Sequence, residues 1–245
     1  MRNVDYNERK RKVLSATIDA YIKNADPISS EGLSADFECS SATIRNILAE
    51  LEEEGYLTHP YTSSGRVPTD KGYRYYVDFL LNQIALLEDE KGYLSKELKK
   101  EKRKLEDTLE HTSKLISASA KNASIVSFLD WDDKIFFDGT SFVLDQPELE
   151  DLRRTRKLVK LFLEDKQKLI ELVNRNAGDN IKIYIGAELC YPEVEDCSLI
   201  VSSYKSHENT KGRIAVLGPK RMEYARYISL LDYFSLLLGE LVEEY

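Results

Sequence analysis

Between residues 40 and 66 the chain gathers side chains that can read or hold a nucleic acid. The run "SSATIRN" at 40–46 puts two serines, a threonine, an arginine and an asparagine at the start of a helical pattern. Arg matches the O6/N7 edge of guanine and Asn the N6/N7 edge of adenine, each through two parallel hydrogen bonds, while Ser and Thr donate or accept. A recognition helix reads base edges with its N-terminal residues, so Ser40, Ser41, Thr43, Arg45 and Asn46 are candidate DNA contacts. Glu50, Glu52, Glu53 and Glu54 sit toward the other end, where they would repel phosphate; the helix is expected to enter a groove tip first. A structural explanation stands beside this one. Ser is a common helix cap whatever the function, and Arg45 can pair with a nearby acid.

The following segment adds a second set. Thr62, Ser63, Ser64 and Arg66 surround Gly65, offering hydroxyls, backbone N–H groups and one charge suited to phosphate oxygens or a narrow minor groove. An ordinary polar hairpin would look the same. The "RKRK" run at 9–12 could add phosphate contacts, although successive helix positions point in different directions, which sends some of the four to solvent.

The elements that must carry these residues follow from periodicity. Leu14, Ile18, Tyr21 and Ile22 mark a helix over 7–23, capped by Asn7 and stopped before Pro27. A short helix over about 30–36 buries Leu33. A third starts at Ser40 or Ser41, carries Ile44, Ile47, Leu48 and Leu51 at i, i+3, i+4 and i+7, and ends on a left-handed Gly55. Extended pieces at 56–59 and 66–67 flank a Gly-containing loop. Three helices and a hairpin make a winged helix-turn-helix plan. A helical pattern then runs from residue 69 or 70 to about 118, roughly 75 Å at 1.5 Å per residue. Ile84, Leu87, Leu94, Leu98 and Leu105 fall on seam positions, which Lys91 and Glu101 interrupt. Beyond 125 come five β-rich runs, "SIVSFL", "KIFFDGT", "IKIYIG", "SLIVSSY" and "GRIAVLG", with helices at about 148–174 and 220–243. The expected fold is multidomain α and α+β. It comprises a winged-helix DNA-binding domain over 1–75, a long linker or coiled-coil helix over 76–122, and an α+β domain over 123–245 with a small antiparallel sheet and helices on one side.

Composition narrows the function classes. The 245 residues are 42% apolar and 32% charged, with a net charge of -8, so any nucleic-acid surface must be local. Residues 1–75 hold 10 Lys and Arg against 12 Asp and Glu, which counts mildly against DNA. Cys39, Cys190 and Cys197 form no disulfide framework and no metal-ligand spacing, and they suit a reducing compartment. There is no basic-then-apolar leader and no long uncharged run, so the expected location is the cytoplasm, without membrane contact. His59, His111 and His207 are scattered, Asp132 and Asp133 are adjacent, and the nucleophile-elbow, zinc-protease and phosphate-loop motifs are absent. No enzyme, no cofactor and no metal is expected.

Longer phrases carry a resemblance. "SSATIRN", "AELEEEGYL" and "YTSSGRVPTDKGYRYYVDFLL" in the first part, with "FFDGTSFVLDQPEL", "EDCSLIVSSY" and "GRIAVLGPKRMEYARYISLLDY" in the second, resemble the HrcA family of heat-inducible transcription repressors. The resemblance implies a homodimeric bacterial repressor that binds a double-stranded inverted-repeat operator upstream of chaperone genes. It also implies a chaperonin partner that keeps the repressor active, and a GAF-like second domain. Family members carry a longer stretch, holding an inserted dimerisation domain, before the "DGTS" phrase. Here only about a dozen residues, "NASIVSFLDWDD", precede it. The dimer contact must then come from the long helix or from the GAF-like remnant. Two other readings remain: a winged-helix regulator controlled by a small ligand or partner at the GAF-like domain, and a protein–protein module that no longer binds DNA.

Overall fold

Apolar stripes on four helices close a first core. In the computed structural model α1 (Arg2–Asn24) contributes Val13, Leu14, Ile18 and Ile22, and α2 (Ser30–Ser34) contributes Leu33. Ile44, Ile47, Leu48 and Leu51 come from α3 (Ser41–Glu53), and Tyr73, Tyr76 and Val77 from α4 (Asp70–Leu80). The structure describes residues 2–37, 39–61, 64–80, 88–99, 104–129, 131, 134–146, 152–174, 180–206 and 209–243. It divides into two units, Met1–Asn82 and Gln83–Tyr245.

In the first unit α1 starts at Arg2 rather than at an Asn7 cap, since no Gly or Pro in the preceding residues stops it. It ends on Ala25, whose left-handed backbone (φ 59°) returns its N–H to the Tyr21 carbonyl at 2.9 Å. Ser29 caps α2, its Oγ accepting from the Gly32 N–H at 3.2 Å. Gly55, at φ 77°, turns the chain out of α3. Strand β1 (Leu57–Thr58) then pairs antiparallel with β2 (Val67–Pro68). Ile28 and Arg66 exchange both backbone hydrogen bonds, at 2.9 and 2.8 Å, which adds a third strand-like rung. Gly65 permits that approach: a Cβ there would lie 2.6 Å from the Ile28 carbonyl carbon. Thr69 caps α4, its Oγ1 accepting from the Gly72 N–H at 3.1 Å and donating to the Gly55 carbonyl at 2.7 Å.

Two polar contacts lock α1 onto its neighbours. The Tyr76 hydroxyl donates to Asp19, and burial followed by that carboxylate pushes the phenol well above its ordinary value. Lys10 reaches the far end of α3, with Nζ 3.0 Å from Glu50 and 2.6 Å from Glu54. Burial alone would lower the Lys10 amine, but the hydrogen bonds from the two carboxylates hold it above the usual lysine range. Lys12 pairs with Glu8 at 2.8 Å. Half of the "RKRK" run is therefore tied to acids of the same unit.

The second unit is built on a five-stranded antiparallel sheet of order β4-β3-β7-β6-β5. Its strands are β3 (Ala123–Phe128), β4 (Ile135–Asp138), β5 (Lys182–Ile185), β6 (Cys197–Ser206) and β7 (Asn209–Pro219). Each lies inside one of the predicted β-rich runs or overlaps it. One face buries Ala123, Ile125, Leu199, Val201, Ala215 and Leu217 against α7 (Thr140–Leu144), α8 (Leu152–Glu164) and α9 (Lys166–Asn174). The opposite face meets α6 (Leu105–Ala120) and α10 (Tyr224–Val242), where Ser124 donates to the Ser113 carbonyl and Ser198 bonds the Tyr224 hydroxyl at 2.8 Å. Helices thus cover both faces, not the one side expected. The reason is visible in the burial: every residue of β3 is buried, so neither face of that strand is left for water. The predicted helix over 148–174 is two helices among its described residues. Asp165 interrupts it and accepts from the Lys168 N–H at 3.1 Å, starting α9 as a cap.

The expected rod from 69 to 118 is also divided. Its described parts are α4, α5 (Glu88–Lys99) and α6, and α6 opens on an extended Lys104 (φ -65°, ψ 153°). The second unit keeps α5 for itself. Leu94 and Leu98 are buried, the Tyr233 hydroxyl donates to the Lys91 carbonyl at 2.8 Å, and Arg226 pairs with Glu90 at 3.2 Å. Leu94 and Leu98 are thus covered within one chain, and Leu105 is half-buried. Ile84, Leu87 and Glu101 lie outside the described residues.

Two stability effects follow. Gly72 lies in the first turn of α4, where Ala would ordinarily favour a helix, yet a Cβ there runs into the Tyr56 carbonyl oxygen. Gly72→Ala should destabilise the first unit by about 1–3 kcal/mol, as overpacking does, read as a lower denaturant midpoint. Lys10→Met should lower stability by about 1 kcal/mol at neutral pH. Because the Lys10 amine is raised, the clamp is whole below the ordinary lysine value near 10.5 and is lost as pH rises through the higher folded one. Wild-type and variant melting curves should therefore converge in strong alkali.

Candidate nucleic-acid interface

The first unit leaves one face of α3 to solvent. Ile44, Ile47, Leu48 and Leu51 turn inward. The opposite stripe, Ala42, Arg45 and Asn46, is exposed, and Ala49 continues it half-buried. This is the helical i, i+3, i+4, i+7 spacing on the outer side. The side chains of Arg45 and Asn46 make no hydrogen bond or ion pair among the described residues, so Arg45 does not pair with a nearby acid there. A guanidinium and a carboxamide one turn into a helix, flanked by two alanines, present donors and acceptors on a surface low enough for close approach.

The hydroxyls at the tip are occupied differently. Ser40 Oγ accepts from the Thr43 N–H at 3.2 Å and lies 3.0 Å from Thr43 Oγ1. That is a cap, which satisfies an N–H that would otherwise lack a partner. Ser41 Oγ lies 3.3 Å from Ser30 Oγ and links α3 to α2. Of the five predicted tip residues, Ser40, Ser41 and Thr43 therefore fix the helix start, while Arg45 and Asn46 are free to contact a ligand. Ala42 and Ala49 were missed by sequence reasoning, which looked for polar groups. The signal was present, as the complement of the buried stripe.

The hairpin is bolted to the acidic end of the same helix. Glu52 pairs with Arg66 through Nε at 2.7 Å, and its other oxygen contacts His59 Nδ1. Arg66, a candidate phosphate contact, turns its Nε to Glu52, and its side chain is 25% exposed. Ser64 closes the turn, its Oγ donating to the Tyr61 carbonyl at 2.7 Å and accepting from the Tyr61 N–H at 3.3 Å. Thr62 and Ser63 lie outside the described residues. Tyr61 itself, 64% exposed, is the large side chain the hairpin offers to solvent, and sequence reasoning passed over it. At the end of α3, Lys71 Nζ donates to the Glu54 carbonyl at 2.7 Å and stacks 4.4 Å above the Tyr56 ring, a cation placed where the helix dipole is negative.

The other candidate chemistries do not converge. Among the described residues no group of three or more His, Cys, Asp or Glu side chains is placed to hold a metal ion. Cys39, Cys190 and Cys197 are free thiols. Asp132, Asp133 and His207 lie outside the described residues. No described helix is long and apolar enough to cross a membrane.

Comparison with known proteins agrees with this division. The family profile for the HrcA protein C terminal domain matches residues 80–228. The chain is 28% identical to the heat-inducible transcription repressor HrcA of Carboxydothermus hydrogenoformans over 337 aligned positions, covering 96% of this chain and 98% of that protein. It is 29% identical to the HrcA of Geobacter sulfurreducens, covering 98% and 99%. Since 337 positions exceed the 245 residues present, at least 92 of them have no counterpart here, which gives the shortening inferred from the sequence a size. The crystal structure of a hypothetical protein at 2.2 Å resolution superposes with a TM-score of 0.77 at 21% identity, over 95% of this chain and 96% of that one, and shares its fold. With a profile match over well more than half its length, the chain belongs to the HrcA family.

Proposed function

We propose that the chain is a transcription repressor of heat-shock genes, which binds an inverted-repeat operator as a dimer with the tip of α3 in the major groove. In this reading the first unit is a winged helix-turn-helix and the second a GAF-like domain without the family's dimerisation insert. The observation that carries it is the exposed, unpartnered Arg45 and Asn46 on a helix capped at one end and clamped at the other. In this reading repression takes place in the cytoplasm and is modulated by a chaperonin, which similarity to heat-inducible repressors supports. One module of this size neutralises few phosphates, so a second linked copy is needed; it makes the second binding event intramolecular and raises avidity by about two to four orders of magnitude. An operator with two-fold symmetry mirrors that pairing.

Three measurements test it. Arg45→Ala and Asn46→Ala should each lose about 1–3 kcal/mol of operator affinity and relax preference at single base pairs; gel-shift titration against point-substituted operators reads both. Wild-type affinity and preference in both variants would sink the docking. Glu52→Ala touches no DNA in this arrangement but frees the hairpin, so it should weaken binding several-fold, about 1 kcal/mol, without changing base preference. Sedimentation should give two chains per inverted-repeat duplex; one chain per duplex would overturn the dimer.

A further inference from the structure

The second unit holds a cavity that the DNA-binding role does not use. It encloses about 330 Å³ at one end of the sheet, between the β3–β4 edge and α9. Phe128, Trp131, Ile135 and Ile170 form apolar walls, with Phe128 and Trp131 ring centroids 4.9 Å apart. The polar lining is Ser127 at the floor, with Asn174 and Gln167 from the same face of α9 and Lys134 at the rim. That volume is at the small end of ligand pockets, about 300–1,000 Å³, and admits one or two fused rings.

Two of the lining groups lack partners. Ser127 is 3% exposed, yet its Oγ makes no hydrogen bond; only its backbone carbonyl is used, accepting from the Tyr204 hydroxyl at 2.7 Å. Asn174 Oδ1 is likewise buried without a partner. Buried polar atoms are satisfied in the great majority of native structures, and each exception calls for a reason. Of the eight such atoms among the described residues, these two line the same cavity. The rim cation Lys134 is paired with Glu106 and lies 5.1 Å from the Trp131 ring centroid, so it is already neutralised. Among the described lining residues there is no carboxylate.

We infer that this cavity binds a small, planar, uncharged heterocycle with adjacent hydrogen-bond donor and acceptor atoms, of the size and edge chemistry of a purine base. Carboxamides pair with such an edge through two parallel bonds, and aromatic walls grip a flat ring by stacking. Asn174 and Gln167 supply the first, Phe128 and Trp131 the second, and Ser127 meets a ring nitrogen or oxygen. Among the described lining residues no carboxylate favours a cationic ligand, and the pairing of Lys134 with Glu106 disfavours an anionic one.

Trp131 is the chain's single tryptophan, so binding reports itself. Adenine, hypoxanthine and benzoate should be titrated into the full chain while its fluorescence is followed. A saturable change with adenine or hypoxanthine is expected, with the half-saturating concentration raised roughly tenfold, as for one lost hydrogen bond, in Ser127→Ala and Asn174→Leu. Gln167→Ala, on the exposed rim, should weaken binding several-fold without disturbing the core, and melting curves confirm that each variant folds. No saturable change with either purine, an equal response in all three variants, or saturation by benzoate alone overturns the proposal.

Discussion

A helix can offer its tip to a ligand only if its other end is held, and the acidic end of α3 is where this unit is held. Glu50 and Glu54 take Lys10 from α1, while Glu52 takes Arg66 and His59 from the hairpin. Each pair alone contributes little at a surface. Their value is geometric, because three contacts within little more than one turn tie α1, α3 and the hairpin together. The apolar stripe of α3 supplies the driving force, and the carboxylates choose the register. The exposed stripe Ala42, Arg45, Asn46 is what remains once both demands are met.

That allocation was only half legible in the sequence. The inward stripe of α3, its Ser40 cap and its Gly55 exit follow from spacing and local chemistry, and the structure has them. The five strands are likewise readable from alternation and β-branched content. What could not be read is whatever depends on a distant partner. Glu52 and Arg66 are separated by the whole β1 turn, so nothing local tells a strut from a phosphate contact. The two-sided burial of β3 is silent for a related reason: a short, mostly apolar run with serines in it fits a strand covered on one face or on both. The break before α6 lies in a charged run without Gly or Pro, and only the extended Lys104 reveals it.

The shortened second unit is nonetheless a closed structure. Its sheet is covered on both faces, and the seam leucines of α5 complete its own core. The 92 or more aligned positions without a counterpart in this chain are therefore not needed to cover the sheet. An insertion between elements that already pack against one another carries its own core and can be absent at little cost, since loop-closure entropy changes slowly with length.

The acidic balance of the first unit then loses its force as an objection to DNA. Of the four acids at that end, Glu50 and Glu54 share the single charge of Lys10 and Glu52 faces Arg66, and Glu53 is the last of them within α3. Along the helix, Glu53 stands about 12 Å from Arg45 at 1.5 Å per residue, more than a Debye length of about 8 Å at physiological salt. A phosphate approaching the tip meets Arg45 and the capped, N–H-rich helix start first, with the paired carboxylates behind them. In the proposed reading, affinity rests on base contacts and a second copy more than on bulk attraction, because the chain's net charge is -8.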